Sequence, residues 1–145
     1  MFLVKFKLTI YVIFKIKTLK MSYNPNNIFA KIILGTVPCN KFYEDDFCLA
    51  FHDLHPAAPI HVLVIPKGYY ENFDDFCSRA SPDEINGFFK GVTATLAKLN
   101  LIRQDGYRLI TNSGEHGLQS VEHFHIHVLA GEKLGPLVVK DVHHI

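Results

Sequence analysis

Three histidines, His123, His125 and His127, alternate with Phe124, Ile126 and Val128 near the C-terminal end of a 145-residue chain. A period of two belongs to a β-strand, whose side chains at i, i+2 and i+4 share one face in steps of about 7 Å. The spacing therefore predicts a strand with a row of imidazoles on one face and Phe124, Ile126 and Val128 in the core behind them. A helix would scatter the three rings about its axis. Imidazole, with an unperturbed pKa of about 6.5, can act as base, acid or nucleophile near neutrality. Alternating histidines can also chelate zinc, and three half-buried rings bonded to backbone carbonyls would be a purely structural arrangement. Asn112-Ser113-Gly114 and Gly117 before the row, and Ala130-Gly131 after it, mark loops. Gly114 and Gly117 let the backbone approach an anion, and backbone N–H groups can cradle phosphate oxygens. The loop from Asn112 to Ser120 is thus a phosphoryl-binding candidate once it is joined to the histidine row.

A row of rings needs a frame. Ser81-Pro82-Asp83-Glu84 is a helix start, with Ser as N-cap, Pro at the first position and Glu three after the cap. Ile85, Phe88, Phe89, Val92, Leu96 and Leu99 follow at helical spacing as one apolar stripe. A short helix is predicted from Ile28 to Leu34, capped by Asn26 or Asn27 and stopped by Gly35. Phe42 to Glu44 and Phe47 to Phe51 read as a hairpin about Asp45-Asp46. Further strands are expected over His61 to Ile65, closed by Pro66-Lys67-Gly68, and over Tyr107 to Thr111. Tyr69 to Phe76 reads as a mixed connection with one helical turn. Strands, one long helix, then more strands indicate an α+β domain with an antiparallel sheet.

The composition narrows the function classes. With 48% hydrophobic residues and 12% aromatics the chain is no disordered segment, and its length suits one domain with one core. Net charge is +1, but residues 1–20 hold five lysines and no acid, so the remainder carries 10 basic and 14 acidic side chains, a net of −4. A mildly acidic body has no electrostatic footprint for nucleic acid. Cys39, Cys48 and Cys77 are odd in number and lack Cys-x-x-Cys spacing, which fits a reducing cytoplasm. Residues 1–20 are apolar at every even position from Phe2 to Ile16, and the lysine-free run between Lys7 and Lys15 is seven residues. That is far short of the roughly 20 a membrane span needs. The segment 1–21 reads first as an upstream extension, compatible with a start assigned too early, and second as a weak membrane tether.

The residues also resemble a known family. His123-Phe124-His125-Ile126-His127-Val128-Leu129 is similar to the signature of the histidine triad (HIT) proteins. Asn27 to Ile33, Tyr43 to Asp46, Leu49 to Leu54, Ala58 to Lys67, Gly106 to Asn112 and Gln119-Ser120-Val121 resemble their Hint-type purine nucleoside phosphoramidase branch. The likeness runs from about Ser22 to Leu134, giving a HIT domain over 22–145. It implies an antiparallel five-stranded sheet with one long and one short helix, the sheet extended across a homodimer. Some relatives carry a zinc-binding cysteine pair where this chain has Asn27 and Ala30. Many end in Trp-Pro-Pro-Gly, where Leu134-Gly135-Pro136-Leu137 stands here.

The resemblance assigns His125 as the nucleophile that forms a nucleotidyl-histidine, which water then cleaves. His127 and His61 would hold phosphate oxygens and help protonate the leaving group, while His123 orients the site and Ser120 and Asn112 bond the phosphate or leaving group. Asp53 would accept from the ribose hydroxyls, although alone it reads as a turn residue. Phe29, Ile32, Val37, Phe51 and Leu54 would wall the nucleobase, although Phe29 and Ile32 alone read as core. Leu118 stands where a Gly is frequent and would contact phosphate through its main chain. His52 has a weaker claim and is expected at the surface. The expected function is a cytoplasmic hydrolase of nucleoside 5'-phosphoramidates or related AMP or GMP conjugates, needing no metal or cofactor. The alternatives are a dinucleoside polyphosphate hydrolase, a non-catalytic nucleotide-binding protein and a zinc module.

Overall fold

The structure is a computed structural model and describes residues 23–102 and 105–136. The extension 1–21, with its membrane-tether reading, lies outside the described residues, as does the end of the tail.

Asn27 starts the first helix, α1 (Ile28–Ile33), by accepting the Ala30 N–H at 2.9 Å. Leu34 caps its end, and Gly35 follows in the left-handed region at φ 72°, where a Cβ would be strained. The strands β1 (Lys41–Glu44) and β2 (Cys48–His52) form the expected hairpin. Asp45 holds its turn by accepting the N–H groups of Phe47 and Cys48, each at 2.8 Å. The strand β3 (Ile60–Pro66) is buried along nearly its whole length.

Two helices follow. The segment expected to hold one helical turn is instead a two-turn helix, α2 (Phe73–Arg79). Asn72 caps it, Asp74 and Asp75 complement the positive end of its dipole, and Phe76 anchors it with no exposed surface. The long helix α3 (Pro82–Lys98) begins with the predicted capping box between Ser81 and Glu84. Phe88, Val92 and Leu96 are buried, whereas Phe89 is 41% exposed and stands off the stripe. One residue is about 100° of helix rotation, so Phe89 flanks the face that Phe88 presents.

The chain returns through β4 (Arg108–Ile110) and β5 (Ile126–Ala130) to complete a five-stranded antiparallel sheet in the order β1-β2-β3-β5-β4. The α+β architecture is the one expected. Side chains directly opposite in antiparallel strands point to the same face. Leu49 pairs with Ile65, Phe51 with Leu63, and Leu63 with His127, so the odd-numbered residues of β2, β3 and β5 share one face. The even-numbered ones, Cys48, Ala50, Val62, Val64, Ile126 and Val128, form the main core with α2 and α3. Within it the rings of Phe76, Phe88 and Phe124 lie 4.8 to 5.2 Å apart, each pair adding roughly 0.5–1.5 kcal/mol beyond area burial. On the other face Leu49, Phe51, Leu63 and Ile65 pack with Phe29 of α1.

One strand boundary departs from expectation. The sheet begins at Ile126, so His123 and His125 precede β5 instead of lying within it. The β3–β5 register, continued, sets Pro66 opposite Phe124, and proline has no N–H to donate. The Phe124 N–H bonds the Tyr70 carbonyl at 2.7 Å instead, and the Pro66 carbonyl accepts from the His123 ring at 2.9 Å. The alternation of faces survives, because Phe124 is in the main core and the His123 and His125 rings meet Phe29 on the opposite side.

Gly87 and Gly91 bring α3 close to β2. A Cβ on Gly91 would overlap the Cys48 Sγ, which is fully buried, and one on Gly87 would overlap the ring of Phe47, which is 38% exposed. Replacing helical Gly by Ala gains roughly 1 kcal/mol of propensity. Overpacking a core costs about 1–3 kcal/mol. Gly91→Ala should therefore lower stability by up to about 2 kcal/mol in urea unfolding, while Gly87→Ala, whose neighbour can swing outward, should be neutral or slightly stabilising. Equal effects would show that Cys48 is not a rigid wall.

Candidate active site

The odd-numbered face of the sheet, with α1 and the loops at its edge, encloses a cleft of about 240 Å³. A second cavity, under Pro66, Tyr70 and Glu84, is about 40 Å³ and has room for a few waters. Chemistry on a small molecule belongs in the larger one. Of the residues singled out from the sequence, Phe29, Ile32, Phe51, Asp53, Leu54, Ser120, His125 and His127 line it. Phe29 meets Phe51 edge-on at 5.6 Å and His125 edge-on at 5.2 Å, so an apolar wall runs up to the nucleophile candidate. Leu54 stands at the rim, 85% exposed.

The hydrogen bonds fix the tautomer of every imidazole in the cluster. His125 Nδ1 lies 2.6 Å from the His123 carbonyl and donates to it, leaving the lone pair on Nε2. The Ala57 N–H donates to His61 Nδ1 at 3.0 Å, so the His61 proton sits on Nε2. That Nε2–H meets His127 Nδ1 at 2.9 Å, which puts the His127 proton on Nε2. His123 donates from Nε2 to the Pro66 carbonyl at 2.9 Å and accepts from the Tyr23 hydroxyl at Nδ1, 2.6 Å away. With the His125 and His127 rings 4.9 Å apart, one cleft thus holds an imidazole lone pair beside an imidazole N–H.

Electrostatics keep the rings neutral. Burial pushes His123 and His127 each down to about 4. For His123 the bond to the Pro66 carbonyl opposes burial, and for His127 the neighbouring His125 and His61 reinforce it. His125 is also lowered by burial, against the His123 carbonyl and the charge of Asp53, and His61 is lowered by burial against Asp53. The Asp53 carboxylate lies 3.5 Å from His61 Nε2 and accepts the His55 N–H at 2.8 Å.

Not every expected residue reaches the cleft. Val37 is half-buried and lies off its lining. Asn112 turns inward, its Nδ2 donating to the Gly117 carbonyl at 2.5 Å, so it closes the phosphate-loop candidate instead of facing the cleft. Leu118 is 83% exposed at a left-handed φ of 56°, which is why a Gly suits the position. His61 sits behind His127, with both ring nitrogens occupied. His52, expected at the surface, is half-buried at the cleft, where it also meets Phe42 edge-on at 5.3 Å. Pro38, Cys39, Asn40, His55 and Val121 join the lining unforeseen, since three separate loops supply them, and Ile28 and Leu63 complete it. Gln119 ties the loop down, donating to the Glu71 and Val121 carbonyls and accepting the Gly114 N–H. Among the described residues, the donors near enough to share an ion are Asp53, His61 and His127, within 4.8 Å of one another. The three alternating histidines are not that set. An ion there would displace the His61–His127 hydrogen bond.

Comparison with known proteins agrees with this geometry. The sequence model of the HIT domain family matches residues 35–134. An uncharacterised HIT-like protein of Azospirillum brasilense is 49% identical over 119 residues, 82% of this chain and 97% of that protein. The purine nucleoside phosphoramidase of Escherichia coli strain K12 is 40% identical over 111 residues, 77% of this chain and 92% of that enzyme. Among solved structures, a HIT family hydrolase from Clostridium thermocellum superposes with a TM-score of 0.68 at 34% identity, covering 80% of this chain and 99% of that one.

The neutral rings set an acid limit on stability. His123 has a folded-state pKa of about 4 against an unfolded value near 6.5, so the unfolded chain takes up its proton first as pH falls. Its contribution is intact above pH 6.5 and is lost progressively down to pH 4, on the order of 2–3 kcal/mol. Thermal melts between pH 7.5 and 4 should fall through that window, and His123→Asn should flatten the fall. A pH-independent melting temperature would contradict the assignment.

Proposed function

This chain belongs to the HIT domain family and has the fold of the family's hydrolases, and we propose that it cleaves nucleoside 5'-phosphoramidates or related AMP and GMP conjugates without a metal. One observation carries the reading: the lone pair of His125 Nε2 and the N–H of His127 Nε2 share a cleft, both set by bonds behind them. In the first step His125 Nε2 attacks phosphorus and the bond to the leaving amine breaks. His127 Nε2–H supplies its proton, and the nucleotide remains on His125. In the second step water displaces the imidazole from phosphorus and gives its proton to His127 Nε2, restoring both rings and releasing the nucleoside monophosphate. His61 works through His127 by holding its tautomer, and the Ser120 hydroxyl at the cleft edge can donate to a phosphate oxygen. Asp53 offers two carboxylate oxygens to the two ribose hydroxyls. A purine would lie between Phe29, Ile32 and Phe51. Positioning and charge stabilisation supply most of the rate in phosphoryl chemistry.

The same reading puts the protein in the cytoplasm as a homodimer paired along β4. In support, β4 is an edge strand whose flanking Tyr107 and central Leu109 are 44% and 41% exposed. Unpaired strand edges bearing apolar side chains invite a second strand.

Hydrolysis of adenosine 5'-phosphoramidate tests the chemistry. His125→Ala should lose about a thousandfold or more in kcat, as removal of a covalent nucleophile does, and still bind AMP in calorimetry. AMP binding by the wild type with no turnover would favour a nucleotide sensor, and preference for a dinucleoside polyphosphate would favour that hydrolase. Because burial lowers both His125 and His127, kcat/KM should hold its neutral value as pH falls through 6.5 and decline only below it. Chelators should leave the rate unchanged. For the assembly, Leu109→Glu should convert a dimer to a monomer in light scattering, and a monomeric wild type would end the pairing proposal.

A further inference from the structure

His125 can attack only while its proton stays on Nδ1, and that depends on where the His123 carbonyl points. β5 begins only at Ile126, so the sheet itself does not bond this carbonyl; its peptide group is oriented by the Phe124 N–H on the Tyr70 carbonyl, and the His123 N–H bonds the Val121 carbonyl at 2.8 Å. The carbonyl of His125 itself has a separate restraint, the Thr111 hydroxyl at 2.9 Å. The side-chain restraint on residue 123 is its own ring. It is fully buried and gripped at both nitrogens, by the Pro66 carbonyl on one side and the Tyr23 hydroxyl on the other.

Tyr23 is itself well seated. Its ring stacks on Tyr69 with centroids 5.1 Å apart and planes 7° from parallel, and it meets the edge of His123 at 5.6 Å. Burial raises its hydroxyl above the ordinary tyrosine range, so it remains a donor at neutral pH. The residue lies upstream of the segment 35–134 that matches the family, and nothing in the histidine pattern points to it. Packing alone would need an aromatic ring here but no hydroxyl. The 2.6 Å contact to His123 Nδ1 gives the hydroxyl a task of its own.

We propose that Tyr23 is a positioning residue for the nucleophile: its hydroxyl clamps the His123 ring so that the His123 carbonyl stays under His125 Nδ1. The effect on rate rests on the hydrolytic reading above, whereas the effect on the imidazoles does not. Tyr23→Phe keeps the stack on Tyr69 and removes the hydroxyl alone. It should lower kcat for adenosine 5'-phosphoramidate about tenfold, near the rate equivalent of one buried hydrogen bond, with KM changed by less than about twofold. Nitrogen-15 spectra of the imidazoles should show His125 moving from a pure Nδ1–H form toward a tautomer mixture, and His123 Nδ1 losing its donor. Wild-type kcat together with wild-type His125 spectra would overturn the proposal. So would a loss of kcat that tracks a lowered melting temperature while the His125 spectra stay as in the wild type, since that marks a structural role only. If the wild type turns over no phosphoramidate, the hydrolytic reading fails by itself. The spectra of Tyr23→Phe then decide the clamp: a shifted His125 tautomer upholds it and an unshifted one overturns it.

Discussion

The hydrogen bond from His125 Nδ1 to the His123 carbonyl is the contact on which the arrangement of the cleft depends. An imidazole near neutrality has one proton and two places to keep it. Only one of them leaves a lone pair facing the cleft. A backbone carbonyl two residues away decides the matter, and it can do so only because both residues lie on an extended segment whose side chains alternate. The neighbouring ring is settled by the opposite device: a backbone N–H gives His61 its tautomer, and His61 gives His127 its own. Two adjacent imidazoles therefore present opposite functions from identical chemistry, the difference arising from the backbone groups behind them.

The sheet makes this possible by sorting side chains by parity. Direct pairing of Phe51 with Leu63 and of Leu63 with His127 carries one face across three strands. Everything placed on it, from Phe29 of α1 to Asp53 beyond β2, falls around the same cleft. The other parity is filled by the aromatic cluster and α3, held close by Gly91 over Cys48. A one-residue slip of β5 would exchange the two populations, burying imidazoles in the dry core and turning Ile126 and Val128 toward the cleft. The depth of the main core thus protects the register on which the cleft depends.

Much of this was legible in the residues. Alternation identified the histidine face, the Ser81 to Glu84 box identified the start of α3, and the order of elements identified the α+β class. What escaped has physical causes. The second short helix offers only Phe73 and Phe76 as apolar residues at helical spacing, too few to establish a period, and its Asn72 cap reads as a turn until the helix is seen. The cleft rim at Cys39, His52 and His55 is assembled from separate loops, and no local pattern records which loops converge. The contact between Tyr23 and His123 spans 100 residues of chain, beyond the reach of any windowed pattern. Asn112 shows the converse. A residue type suited to holding phosphate is here occupied with the Gly117 carbonyl, and composition cannot say which partner an amide chooses.

Pro66 carries a consequence of its own. Because it has no amide hydrogen to give, the zipper of β3 and β5 stops two residue pairs early, and its oxygen is left over for a side chain. An imino acid at the fraying end of a ribbon is thus what divides scaffold from instrument. From Ile126 onward the chain is held by the ladder of the sheet, whereas before it the chain is held by single bonds to loop carbonyls and by side chains. Any residue with an ordinary amide at that spot would invite the ladder to run on through Phe124, claim the oxygen His123 now uses, and convert an adjustable mooring into one more rung.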